Sequence, residues 1–180
     1  LANIKRELEG NERLRIDLGP FKEQSDEWGS YALEIPKYEA RIMAASSEQS
    51  IRGLRHGPHR PDLIIVDDVE DLGSVKTREG RDRTYQWLTG DVMPAGDRNT
   101  RMICIGNLLH EDSLLMRLRQ DIAEQRLEGI FRSFPLIDDC GKIAWPGKFQ
   151  TRDDIDALKR SIGSDAAWQR EYLLRIIVDE

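Results

Sequence analysis

The chain has 180 residues, a net charge of −6 at pH 7, a hydrophobic fraction of 39% and a charged fraction of 33%. That length suffices for a domain with a real core, and the acidic balance excludes a protein that coats DNA with its whole surface while leaving room for a local basic patch. No apolar stretch approaches membrane-spanning length and no signal peptide is visible, which points away from the membrane.

In chain order, residues 2–10 read as a helix, with Ile4 and Leu8 one turn apart and Gly10 at its end. Tyr31–Ile35 and Arg41–Ala45 read as strands split by Pro36, and residues 46–61 as a polar loop carrying Arg52, Arg55 and Arg60. A strand follows at 62–67, then a charged helix over 74–89, broken by Gly90 and Pro94. Arg101–Ile105 is a second short apolar strand, closed by Gly106-Asn107. From Glu111 to about Arg126 a helix lines one face with Leu114, Leu115, Leu118 and Ile122. Ile130–Phe134 reads as another strand. Thr151 opens a helix with Asp154 in capping-box position; Ile155, Leu158 and Ile162 form its inner face and Gly163 stops it. Ser164 caps a last helix carrying Trp168 and Tyr172. Strands alternating with helices predict an α/β fold with a mostly parallel sheet flanked by helices.

The chemistry concentrates at Arg60-Pro61-Asp62-Leu63-Ile64-Ile65-Val66-Asp67-Asp68-Val69-Glu70-Asp71. A short, β-branched apolar run reads as a strand buried on both faces, as in parallel sheets. Such a strand delivers its last side chains to the carboxyl edge of the sheet, where open α/β folds place ligands. Adjacent carboxylates there are costly unless neutralised, and a magnesium ion on a nucleotide would neutralise them. This is the Walker B pattern; its bland counterpart is a pair of acids opening an ordinary turn. Cys104 and Cys140 stand alone without CxxC spacing, Cys104 as a buried thiol, which fits a reducing, intracellular setting. His56 and His59 lack further metal-ligating partners nearby and read as loop residues; Trp87, Trp145 and Trp168 read as core or interface aromatics.

Several blocks, in order, resemble the large terminase subunits of tailed bacteriophages, which package DNA. Ile51-Arg52-Gly53-Leu54-Arg55 with Arg60 to Glu70 looks like that family's Walker B block and its lead-in. Ile105-Gly106-Asn107-Leu108-Leu109-His110-Glu111-Asp112-Ser113-Leu114-Leu115 looks like its coupling motif. Ala144-Trp145-Pro146-Gly147-Lys148-Phe149, then Leu158, Gly163 and Trp168-Gln169-Arg170-Glu171-Tyr172-Leu173, looks like the end of its ATPase domain. The resemblance implies a partial P-loop NTPase domain of the ASCE type. Residues 1–150 would be an incomplete ATPase core, and 151–180 the C-terminal helices leading toward a nuclease domain that is not in this sequence.

On these residues the resemblance places the following roles. Asp67 would hold magnesium through water. Asp68, where many members carry glutamate, would orient or deprotonate the water attacking the γ-phosphate, with Glu70 as an alternative acid. Asn107, which has both a donor and an acceptor, would touch the terminal phosphate and pass its state to the helix beyond. Arg52 or Arg55 would reach a neighbouring subunit's nucleotide as an arginine finger; singly, each reads equally well as a solvated loop residue. The implied cofactors are ATP and Mg2+. The implied partners are double-stranded DNA, further copies of itself in a ring, a small terminase subunit and a portal protein, in the cytoplasm of a bacterial host.

No G-x-x-x-x-G-K-[ST] phosphate loop occurs in the 180 residues, and the chain opens on Leu1. Both fit a piece cut from a longer ATPase, expected to bind ATP weakly by itself. Two other readings stand beside the motor. One is a metal-dependent nuclease or hydrolase using Asp67, Asp68, Glu70 and Asp71 with His110, Glu111 and Asp112. The other is a non-catalytic interaction fragment.

Overall fold

The computed structural model describes residues 1–47, 51 and 55–176. The chain folds as two compact units, Leu1–Pro61 and Asp62–Glu180. The break therefore falls between Pro61 and Asp62, and residues beyond 150 belong to the same unit as the acidic strand.

In the first unit, helix α1 (Ala2–Gly10) matches the expected span. A second helix, α2 (Glu12–Leu18), follows at once; the Asn11 side chain caps it by accepting from the Leu14 amide at 3.2 Å. The strands on either side of Pro36 are β1 (Ala32–Ile35) and β2 (Ala40–Met43). They pair antiparallel, with Leu33 opposite Ile42. Pro36 lacks the N–H a ladder needs and starts a single 3-10 turn, and Glu39 completes the reversal at φ 49°. Leu33, Ile35 and Phe21 are buried. His56 and His59 bond each other's backbone N–H and C=O groups at 3.1 Å and so sit in a turn.

The second unit is built on β3 (Leu63–Asp67) and β4 (Arg101–Ile105), which pair in parallel from Leu63↔Arg101 to Asp67↔Ile105. Each described sheet thus has two strands, one sheet antiparallel and one parallel. The fold is mixed α/β, but the sheet is not the larger, mostly parallel one expected. Nor is β3 buried on both faces. Val66 is 3% exposed, whereas Leu63 and Ile65 are 51% and 58% exposed, and Ile103 and Ile105 beside them are also open. The pleat sends alternate side chains to opposite faces, and only the face of Ile64, Val66, Met102 and Cys104 is covered. Cys104 is accordingly half-buried, not enclosed, and burial pushes its thiol pKa up.

Between the strands runs α3 (Arg78–Trp87), capped by the Thr77 hydroxyl, which accepts from the Gly80 amide. Gly90 and Pro94 do not break the helical path. It continues as a π-helical turn (Leu88–Val92) and a 3-10 turn (Met93–Ala95), with Pro94 in the opening positions of the last turn, where little is lost by its missing N–H. Burial of Leu88, Val92 and Ala95 outweighs the poor helix propensity of this stretch. Helix α4 (Leu114–Ala123) is shorter than expected but packs the anticipated side, with Leu114 and Leu118 buried. Its far end is held by Asp121, which accepts from the Tyr85 hydroxyl at 2.5 Å and from Arg126 Nη2 at 2.6 Å.

Residues 130–134 are not a strand; no described segment pairs with them, and Ile130 and Phe134 are mostly exposed. Helix α5 (Arg152–Ile162) carries the complete capping box. Asp154 N donates to Thr151 Oγ1 at 3.2 Å, Thr151 N donates to Asp154 Oδ2 at 2.8 Å, and Gly163 ends the helix at φ 67°. Helix α6 (Asp165–Glu171) is capped by Ser164. Trp168 is buried and stacks on Tyr172 at 5.0 Å, whereas Trp145 stands 59% exposed under Lys148.

Candidate functional site

Parallel pairing brings the ends of β3 and β4 to one edge of the sheet. Asp67 lies opposite Ile105, so the Asp67-Asp68 pair and Gly106-Asn107 leave the ladder together. The Asp68 amide donates to the Ile105 carbonyl at 3.1 Å and extends the pairing by one residue. The chain then turns sharply, with Asp68 at φ 45°, a left-handed conformation that aspartate tolerates better than most residues. A Cβ placed on Gly106 would lie 3.5 Å from Asp68 Oδ1, so the two tips touch. Gly106 is not among the residues with positive φ, and its Cβ would meet only ordinary contacts. Close approach, not a conformational demand, describes that glycine.

Asp67 and Asp68 are both exposed, and no described residue pairs with either carboxylate. Glu70 is committed differently. Its Oε2 accepts from the Leu114 amide at 2.8 Å, capping the N-terminus of α4 from a distant point in the chain. Ser113 occupies the N-cap position of that helix, yet its hydroxyl makes no capping bond and is buried without a partner among the described residues, as is Glu70 Oε1. Burial pushes the Glu70 pKa up, against the pull of the Leu114 amide and of Arg117 and Arg81. Glu70 therefore fastens β3's exit to α4, whereas Asp67 and Asp68 stay exposed.

Asp71 and Asp112 are also engaged. Asp71 Oδ1 accepts from the Ser74 amide at 2.7 Å in a turn. Asp112 accepts from Arg117 Nε at 2.7 Å and Arg81 Nε at 2.9 Å, and Arg117 Nη2 reaches Asp82 at 2.7 Å. The Arg117 hydrogen bonds, helped by Arg81, hold the Asp112 carboxyl far below the usual carboxylate range. His110 Nδ1 accepts from the Asp112 amide at 2.9 Å. Among the described residues no group of three or more His, Cys, Asp or Glu side chains is arranged to hold a metal ion. Of the acids expected for a two-metal hydrolase, Glu70, Asp71 and Asp112 are thus drawn into a cap, a turn and ion pairs. A single exposed carboxylate such as Asp67 fits a hard cation only where a ligand's own oxygens complete the coordination, as nucleotide phosphates do.

Asn107 is half-buried, and its Nδ2 donates to Glu171 Oε2 of α6 at 2.5 Å. Glu171 Oε1 in turn accepts from Arg170 Nε at 2.7 Å. Sequence reasoning does not find this link: the partners lie 64 residues apart, and no local pattern announces a contact of that kind. It likewise misses Arg81 and Arg117, whose positions on helix faces look like ordinary surface charge. Arg55 is exposed in the first unit, its carbonyl accepting from Arg41 Nη1 at 3.4 Å, and Arg52 lies outside the described residues. The structure thus brings Asp67, Asp68 and Asn107 to one edge, assigns Glu70 to a helix cap and adds Glu171. Compared with known proteins, the chain matches no family model, no curated protein and no solved structure at a significant level.

Proposed function

We propose that this chain carries part of the nucleotide site of an ATP-hydrolysing motor, of the kind that packages DNA as the large terminase subunit of tailed phages and prophages. The observation that supports the reading best is the parallel register of β3 and β4, with Asp67-Asp68 and Gly106-Asn107 leaving the ladder at one edge. In a P-loop NTPase of the ASCE type, an acid pair and a small polar residue on adjacent strands face the terminal phosphate from such an edge.

In this reading Asp67 would hold a magnesium ion, which would supply charge to offset that of the phosphates. Asp68, free of partners among the described residues, orients or deprotonates the attacking water. Asn107 donates to the terminal phosphate, and Arg52 or Arg55 acts on a neighbouring subunit's nucleotide. Double-stranded DNA is the moved polymer, with a small terminase subunit and a portal protein as partners. The 180 residues hold no G-x-x-x-x-G-K-[ST] loop, so hydrolysis belongs to the longer protein that supplies one, and this chain alone binds ATP weakly.

Substitution of the metal-holding acid is the direct test. In the ATP-hydrolysing protein containing these residues, Asp67→Ala lowers turnover by about a hundredfold or more, because removing a fixed group that meets transition-state charge costs that much. Unchanged turnover rejects the assignment.

A further inference from the structure

We propose that the Asn107–Glu171 hydrogen bond is a latch that a bound terminal phosphate must open, so that nucleotide binding at the β3–β4 edge is passed directly to α6. The inference rests on the nucleotide reading of that edge. Asn107 Nδ2 donates to the Glu171 carboxylate at 2.5 Å, a short, charge-assisted bond. A phosphate drawing on the same amide brings a second anion against Glu171. Asp67 and Asp68 already crowd the edge with negative charge, and neither pairs with a described cation. A bound magnesium ion would offset the strand-tip acids but not Glu171, whose carboxylate is then pushed off Asn107 towards its Arg170 partner.

The carboxylate has somewhere to go. Arg170 Nε holds its other oxygen at 2.7 Å and keeps it paired once Asn107 lets go. Helix α6 is short, seven residues, with Trp168 as its buried side chain and Asp165 paired with Lys159 of α5 at 2.9 Å. The Tyr172 carbonyl accepts from the Leu136 amide at 2.7 Å, and Leu136 O accepts from Ala144 N at 2.8 Å. Movement at Glu171 therefore reaches the segment at 136–144 through two backbone bonds. Short elements with little packing are the ones that move at low cost.

The test is ATP affinity, by fluorescence titration with Mg2+ present, in the ATP-hydrolysing protein that contains these residues. Glu171→Ala removes the competitor and tightens ATP binding by about tenfold, the lower end of what one hydrogen bond to a charged group is worth. Glu171→Gln, which keeps the shape and an acceptor, gives a smaller change in the same direction and serves if the alanine variant fails to fold. In an Asn107→Ala background the gain from either substitution shrinks to the charge effect alone. Unchanged or weaker binding in Glu171→Gln, or an equal gain with and without Asn107, overturns the latch. Turnover of Asp67→Ala, measured alongside, separates the two claims. Its loss keeps the nucleotide reading whatever Glu171 does, and its persistence removes that reading and the latch with it.

Discussion

Three acids within four residues, Asp67, Asp68 and Glu70, meet three different environments, and chain geometry decides which. Asp67 ends the ladder and faces outward; Asp68 turns left-handed beside Gly106; Glu70 reaches the first turn of α4. Removing the Glu70 carboxyl strips α4 of a cap that its own Ser113 does not provide, and Glu70→Ala should cost about 1–2 kcal/mol of stability. Glu70→Gln retains an acceptor for the Leu114 amide and should cost much less. Its effect should also change with pH. The wild-type pKa is raised on folding, so the group contributes stability below its unfolded value, near 4.3, and that stability fades as pH climbs through the folded pKa. Thermal melts should therefore show Glu70→Gln gaining on the wild type as pH rises above about 4.3. A constant difference across that range contradicts the burial account. Asp112 carries the opposite sign: its pKa is depressed, so its contribution is present above about pH 4 and lost as pH falls.

Secondary-structure elements show where physical pattern sufficed and where it failed. The α5 box was legible because both of its partners sit within four residues, Thr151 and Asp154. Thr151→Ala should cost about 1 kcal/mol, measured by denaturant melts, and no loss would mean that α5 is held by packing alone. The β3 and β4 strands were legible as compact β-branched runs between turn residues. Residues 130–134 looked similar, but a strand exists only with a ladder partner, and composition cannot supply one. The helical path through Gly90 and Pro94 was misread because propensity argued for a break while burial of Leu88 and Val92 argued against it. Of the candidate site, the acid pair and Asn107 were visible in sequence. Glu171, Arg81 and Arg117 were not, since their roles come from partners 31 to 64 residues away. Leu114 is 2% exposed beneath the Glu70 cap, and Leu114→Ala should cost about 3 kcal/mol; a loss below about 1 kcal/mol would show that α4 is not packed as described.

At the scale of the molecule, the second unit is stapled by ions as well as by apolar packing. Arg117 joins α4 to Asp82 on α3 and to Asp112, and Arg81 of α3 meets the same carboxylate. Arg117 and Arg81 are largely buried while Asp112 is 41% exposed, so solvent screening discounts the pair energies. Arg117→Ala should lower the stability of the unit by about 2 kcal/mol, and high salt should weaken the difference only slightly. Above this frame lies an edge whose open carboxylates and tethered amide suit a phosphate–metal ligand. The most direct test is paramagnetic. With Mn2+ and ATP added to a protein that contains these residues, the amide signals of Asp67, Asp68, Gly106 and Asn107 should broaden first, and Asp67→Ala should abolish that broadening. Broadening centred elsewhere, or unchanged in the Asp67→Ala variant, contradicts a nucleotide site at the β3–β4 edge.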